Sequence, residues 1–258
     1  MTTASLLFLE LEAAFETGWC PLCSAMARAA AKFMRHFVRE GKANNDVWDG
    51  LRGSRGLCRR HAQVMLRAEA SEYGDRLSTA TLYDWLLDDL LRGLDREDRA
   101  AAPAGWRALF QRDGEPLPAG RRLAERLAPT GPCYACVHLD EYETAVAWGF
   151  QRFISPTRGE ADFRKRFEGA VPLCLPHFRA VLREVEDEAT LLYLVQVQRR
   201  KLHALSRELK EYLRKFNVQF SHEPKGREQD SWQRVVRVFV GQIPDEATQP
   251  SRPARREV

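Results

Sequence analysis

The stretch Gly-Leu-Cys-Arg-Arg-His at 56–61 has a counterpart in Pro-Leu-Cys-Leu-Pro-His at 172–177. Both contain Cys-x-x-His, and each follows a Cys-x-x-Cys, Cys20-Pro-Leu-Cys23 in one case and Cys133-Tyr-Ala-Cys136 in the other. Aligning TGWCPLC (17–23) with TGPCYAC (130–136) gives an offset of 113, and aligning RGLCRRHAQVMLRA (55–68) with VPLCLPHFRAVLRE (171–184) gives 116. A drift of three residues fits one loop insertion. The chain therefore reads as a duplicated unit of about 80 residues, the kind of internal repeat that decides a fold before any local detail.

The elements around these motifs read as helices. Leu22, Met26, Ala30, Phe33 and Phe37 recur at three- and four-residue spacing, and Leu82, Leu86, Leu90 and Leu94 do the same later in the unit. GKANND (41–46) and SPTRGE (155–160) carry turn chemistry, and Trp48 and Phe163 are expected to anchor a short helix in each unit. No convincing alternation of period two is present, so the fold class is all-α: a duplicated helical unit, each closed by a Cys3His metal site, with a long C-terminal helix.

The expected organisation is a first metal-binding unit over 1–95, a linker over 96–129, and a second unit with the C-terminal helices over 130–242. A tail over 243–258 has little to bury and is expected to be disordered. GWRALF and RRLAERL could form short helices in the linker. In the long helix over 187–216, Leu191, Val195, Gln198, Leu202, Leu205, Leu209, Tyr212 and Phe216 make a heptad-like stripe. Packing within the chain is the expected cause of that stripe. Homodimerisation through 187–216 is the alternative.

A chain of 258 residues with 44% hydrophobic and 29% charged residues can bury a core without staples. The balance of 40 basic against 36 acidic residues is a mild excess, which argues against a nucleic-acid partner. No run approaches the roughly 18 apolar residues that span a bilayer. The apolar start is interrupted by Glu10 and Glu12 and lacks a basic region, so no secretory signal is read and a cytoplasmic location is expected. Six cysteines in a reducing compartment point to metal or redox chemistry rather than a disulfide framework.

Residues three apart on the first turn of a helix share a face. Cys20 with Cys23, Cys58 with His61, Cys133 with Cys136, and Cys174 with His177 can therefore each act as a two-toothed clamp, and two clamps supply the four ligands of tetrahedral zinc. The expected sites are Cys20, Cys23, Cys58 and His61 in the first unit and Cys133, Cys136, Cys174 and His177 in the second. Exchange of clamps between units is the alternative, and it requires the units to interlock. Three thiolates and a neutral imidazole around Zn2+ leave a charge of −1, which suits helix N-termini, and Pro21 suits a first helical position. Arg55, Arg59 and Arg60 could offset that charge at the first site. The cofactor expected is Zn2+ at two sites, with [4Fe–4S] as the alternative.

The other histidines receive structural readings. His36 is expected to be partly buried beside Phe37, His138 has no counterpart in the first unit, His203 flanks the long helix, and His222 lies in a polar loop. In EPKGREQDSWQR (223–234), Asp230 or Ser231 can cap the final helix and Trp232 can pack. A binding loop of Glu223, Asp230 and Trp232 is the alternative. No phosphate loop, HExxH or nucleophile elbow is present, which favours a non-enzyme.

These features together resemble a bacterial family of helical proteins grouped as a domain of unknown function. Its members carry twin CxxC…G-(F/L)-C-x-x-H units and an EP-x-G-x-E-x-DSW-like segment after a long helix. The resemblance covers about 1–241, and the chain departs from it at 172–173, where Pro-Leu replaces Gly-Phe or Gly-Leu. It supports the metal reading and names no activity. The function expected is a zinc-binding interaction scaffold for a macromolecular partner, with an iron–sulfur redox or sensor protein and a thiol–disulfide oxidoreductase as alternatives.

Overall fold

The computed structural model describes residues 3–40, 45–72, 77–100 and 119–241. Among these residues every regular element is helical, with eleven α-helices and three 3₁₀ turns. Helix α1 spans Thr3–Ala14. Four helices then carry the first repeat: α2 (Pro21–Glu40), α3 (Asn45–Gly53), α4 (Arg59–Glu72) and α5 (Leu77–Ala100). After α6 (Ala119–Leu127), the second repeat follows in the same order: α7 (Tyr134–Ile154), α8 (Ala161–Gly169), α9 (Leu175–Glu184) and α10 (Glu188–Lys215). Helix α11 (Ser231–Val240) ends the described chain. The helix lengths, 20, 9, 14 and 24 residues against 21, 9, 10 and 28, preserve the duplication. RRLAERL lies in α6. GWRALF and the 243–258 tail lie outside the described residues, as does most of GKANND.

Two compact units emerge from the packing, one of Met1–Ala29 with Asp140–Val258 and one of Ala30–Leu139. The sequence repeats and the compact units are different partitions of the chain. The division falls inside α2 and inside α7, so each compact unit takes the CxxC of one repeat and the CxxH of the other.

In the first of these units Phe15, Phe150, Phe163 and Phe167 pack edge-on or tilted with centroids 4.9–6.4 Å apart. Phe150, Phe163 and Phe167 are fully buried, each worth about 1.5–3 kcal/mol of apolar transfer. In the other unit Met34, Phe37, Leu51, Leu57, Met65 and Leu82 form the core, with Trp48 packed against it. Trp48 also meets Trp85 at 4.7 Å. Trp48 and Phe163 thus anchor α3 and α8 as the sequence suggested.

The α10 stripe is only half right. The buried side of the helix holds Thr190, Leu194, Val197, Gln198 and Leu205, while Leu191, Val195 and Leu202 are exposed. Apolar residues cover more of this helix than one face can bury, and the face used is offset by about one position from the heptad line. His36 is also exposed, with its side chain 68% accessible and its Nδ1 3.5 Å from Glu40; its place beside Phe37 turns it outward because Phe37 takes the core side.

The EPKGREQDSW segment clasps the end of α10. Arg214 pairs with Glu223, and Lys215 pairs with Glu228 at 2.8 Å while donating to the Pro224 carbonyl at 2.7 Å. The Lys215 ammonium and the Gly226 N–H hold the Glu228 carboxyl down to about 2. Asp230 occupies the cap position of α11 but makes no capping bond, because its carboxylate goes to Arg234 at 2.8 Å. Ser231 is fully buried and Trp232 is 47% exposed, so the clasp comes from the glutamates rather than from a cap and a packed indole.

Candidate metal centres

Each of the four clamps is built the same way. Its first cysteine immediately precedes a helix, and its second member is the third residue of that helix, as in Cys20 and Cys23 at the start of α2. The carbonyls of Cys20, Cys58, Cys133 and Cys174 accept the first helical bonds, from Ser24, Ala62, Val137 and Phe178, at 2.7–3.2 Å. These are the two positions whose side chains converge in a capping box, here with sulfur and imidazole facing each other across the first turn.

The structure brings all eight residues together, but in exchanged pairs. Cys20 and Cys23 meet Cys174 and His177, and Cys58 and His61 meet Cys133 and Cys136, with the four donor atoms of each group within 4.8 Å of one another. The expectation that each sequence unit owns its four ligands is therefore corrected. Each Cys3His group lies within one compact unit and joins the N-termini of two helices, α2 with α9 or α4 with α7. Two N-termini, each worth about half a positive charge, face a donor set that is anionic as thiolates.

In the Cys20 site, His177 Nδ1 lies 3.6, 3.2 and 3.1 Å from the Sγ atoms of Cys20, Cys23 and Cys174, and the last two sulfurs are 3.7 Å apart. In the Cys58 site, His61 Nδ1 lies 3.4, 3.7 and 3.4 Å from Cys58, Cys133 and Cys136, with Cys58 and Cys136 3.9 Å apart. The three cysteines of the first group are buried, whereas those of the second are half-buried.

Without a cation these donors cannot all take their ligand forms. Burial works against the Cys133 thiolate, yet hydrogen bonds with His61 and with the backbone of Cys58, Cys136 and Ala135 outweigh it and hold the thiol down to about 6. Burial and the charges of Cys133 and Cys58 push Cys136 up to about 12. Burial also opposes the Cys20 thiolate, but Cys174, Cys23 and His177 keep it well below the usual thiol range, while Cys23 is pushed far up by Cys174 and Cys20. Burial disfavours the His177 imidazolium, but the sulfurs of Cys174 and Cys20 raise it to about 10. Protons and sulfurs share each group as a metal ion and sulfurs would, which is how thiol-rich metal sites behave.

Several supporting residues escaped the sequence reading. Glu143 Oε1 sits 3.3 Å from His177 Nε2, the carboxylate–imidazole contact that fixes the tautomer and leaves Nδ1 for a metal. Nothing in DEYE (140–143) singles it out. The Cys58 N–H donates to Cys133 Sγ at 3.3 Å. Gln198, read as part of a stripe, is buried and bridges Leu173, accepting from its N–H at 3.0 Å and donating to its carbonyl at 2.8 Å. It pins the backbone just before Cys174. Gln198→Leu will leave both backbone groups buried and unpaired, at about 1–3 kcal/mol each. Urea unfolding should show the loss, and an unchanged midpoint would count against this role.

The departure at 172–173 is also explained. Arg55 and Gly56 have φ of 54° and 94° in the turn before Cys58, and Gly56 is there because such a φ suits glycine. Pro172 has no positive φ, so no glycine is required. Arg55 itself turns to Asp89 and the Arg126 carbonyl rather than to the sulfurs, and Arg59 and Arg60 are exposed. His138 packs on Tyr134 and Phe33, at 4.5 and 5.6 Å. His203 and His222 are exposed.

Gly241 closes the Cys20 site. With φ 80° and ψ −164° it occupies a region open essentially to glycine alone, and a Cβ there would touch Cys23 Sγ at 3.4 Å and Cys174 Sγ at 3.6 Å. Gly241→Ala will cost about 1–3 kcal/mol through backbone strain and will speed metal transfer from the Cys20 site to a chelator. Equal transfer rates from variant and parent would disprove the second half of that prediction.

Residues 4–246 match the model of a family described as a family of unknown function, DUF6062. Neither the curated proteins nor the solved structures contain a match to the chain.

Proposed function

For a chain that belongs to this family of unknown function, we propose a task drawn from the two sites: it is a zinc-stapled helical scaffold that presents apolar helix faces to a macromolecular partner. One observation carries the zinc reading. A tetrahedral ion with Zn–S of about 2.3 Å and Zn–N of about 2.0 Å has S···S edges of about 3.8 Å and S···N edges of about 3.5 Å. One sulfur–sulfur separation in each group is 3.7 or 3.9 Å, all donor atoms of a group lie within 4.8 Å, and the sulfur–nitrogen separations run from 3.1 to 3.7 Å. A [4Fe–4S] cluster spreads its four ligands over four irons, which asks for wider spacing. Four protein ligands leave no open position, the mark of a structural zinc site rather than a catalytic one. Zinc, when bound, would supply a cross-link between helix starts.

The scaffold reading draws on exposed apolar surface. Trp232, Val236, Phe239 and Val240 of α11 recur at helical spacing and are 45–62% exposed, a face wide enough to dock against a partner. The exposed Leu191, Val195 and Leu202 of α10 offer a second one, and a second copy of the chain through 187–216 is its alternative occupant. Six free thiols fit a reducing compartment such as the cytoplasm. Among the described residues no helix is long and apolar enough to cross a membrane.

Anaerobic purification followed by metal analysis and a visible spectrum on one sample tests the reading. Two zinc ions per chain with no visible band is the expected result. Iron with sulfide would replace it with electron transfer or sensing, and metal-free protein with paired thiols would replace it with redox chemistry.

A further inference from the structure

The two Cys3His groups hold the same donors, but the chain covers them differently. Cys20, Cys23 and Cys174 are 8%, 7% and 1% exposed, and every residue from Cys20 to Met26 is buried. The Gly241 backbone closes over Cys23 and Cys174, so near that a Cβ would meet both sulfurs, and Glu143 backs His177 at 3.3 Å. In the other group Cys58, Cys133 and Cys136 are each half-buried. The residues next to them in the chain, Arg59, Pro132 and Val137, are exposed. At the repeat offset of 113, Ala30 stands where Glu143 does, so the repeat does not supply His61 with that carboxylate. One group is sealed, and the other is open to small solutes.

The three sulfurs of the open group are not equivalent. Cys133 Sγ accepts the Cys58 N–H at 3.3 Å, and hydrogen bonding of this kind draws charge from a thiolate and blunts it as a nucleophile. Cys58 Sγ and Cys136 Sγ lie 3.9 Å apart, in contact across the first turns of α4 and α7. Closing that gap to the S–S bond length of about 2.0 Å asks for a small side-chain movement.

We propose that the Cys58 group is a site of reversible oxidation by hydroperoxides, in which Cys58 and Cys136 join as a disulfide while the Cys20 group stays reduced. Thiolates held as metal ligands are already deprotonated, and the thiolate is the form that attacks a peroxide. One sulfur of the pair takes an oxygen from hydrogen peroxide, breaking the O–O bond and giving a sulfenic acid and hydroxide. The second thiolate displaces hydroxide from that sulfenic acid and forms the S–S bond. In sum, two thiolates, one peroxide and two protons give one disulfide and two waters; the sulfurs lose two electrons and the peroxide gains them. Cys133 and His61 are then the only donors left, and two donors cannot close a tetrahedral site. Loss of the ion from this group therefore rests on the zinc reading, whereas the disulfide does not.

Treating the full metal-loaded chain with hydrogen peroxide tests the proposal. A chromogenic chelator reads the ion released, against a peroxide-free control, and differential thiol labelling with peptide mass mapping reads which sulfurs have reacted. One of the two ions should leave at least about tenfold faster than the other. The first disulfide should join Cys58 to Cys136, with Cys20, Cys23 and Cys174 still free thiols, and dithiothreitol with added zinc should restore the starting state. Both readouts use the unmutated chain, so the result does not depend on an altered site still folding. Equal rates of loss for both ions, earlier reaction at the Cys20 group, or a first disulfide other than Cys58–Cys136 would each overturn the proposal. So would oxidation that dithiothreitol does not reverse, or thiols left intact under peroxide that fully oxidises free glutathione. Metal analysis before peroxide keeps the two readings apart: a chain without zinc fails the zinc reading, and the disulfide map of that reduced chain still decides the pairing.

Discussion

Removing two of the four clamps will spare a metal ion or remove both, according to which clamps are chosen. A chain with Cys20, Cys23, Cys174 and His177 all changed to Ala will keep one metal equivalent, because every lost donor belongs to one group. A chain with Cys20, Cys23, Cys58 and His61 changed to Ala will keep none, because each group then retains only two donors. The sequence repeats considered alone predict the reverse. Two donors cannot close a tetrahedral site, so the contrast is one ion against zero. Milder changes give the same answer if the quadruple variants fold poorly. In cobalt-substituted protein, Cys20→Ser and Cys174→Ser should disturb the same one of two thiolate-to-metal absorption components, and Cys58→Ser and Cys133→Ser the other. A full metal equivalent retained by the chain lacking Cys20, Cys23, Cys58 and His61 would disprove the exchange.

The exchange also marks the limit of what the sequence could tell. The eight donors and their clamp spacing were legible because Cys-x-x-Cys and Cys-x-x-His place two side chains on one first turn, a local property. The helices were legible from apolar recurrence, and α3 and α8 were found through Trp48 and Phe163. Which clamp meets which is a long-range property, joining Cys23 to Cys174 across 151 positions, and no local spacing encodes it. Gln198 was rightly placed on the packing side, but its role went unread for a related reason. The pattern of α10 suggests a stripe, but a polar residue on the packing side is explained only by what it faces, here the turn before α9, where the Leu173 backbone needs partners. Glu143 carried no signal, since a carboxylate near an imidazole is recognised only once both are placed.

Withdrawing the metal should cost the chain most of its stability, and the cost should shrink as pH falls. A ligand that binds only the folded chain stabilises it by about 4 kcal/mol when present at a thousandfold its Kd. Two such sites approach the whole 5–15 kcal/mol typical of a folded domain. For a protein of this size each kcal/mol moves Tm by about 2–4 °C, so the metal-loaded chain should melt at least about 15 °C above the chelated one near pH 8. The pH dependence follows from what the metal displaces. Without metal, His177 holds its proton up to about 10 and Cys136 up to about 12, and a bound ion requires both groups deprotonated. For the metal-free fold, the raised His177 contributes stability that is full below its ordinary value of 6.5 and lost as pH rises through about 10. Acid therefore favours the metal-free form on both counts, and each displaced proton weakens metal binding about tenfold per pH unit. With at least one proton displaced at each site, the Tm gap should narrow by at least about 10 °C between pH 8 and pH 6. Calorimetric melts with and without chelator across that range decide the matter. A gap below about 5 °C near pH 8 would mean that helix packing alone holds the fold, and a gap that widened toward acid would mean that the ion is not held by these thiolates and imidazoles.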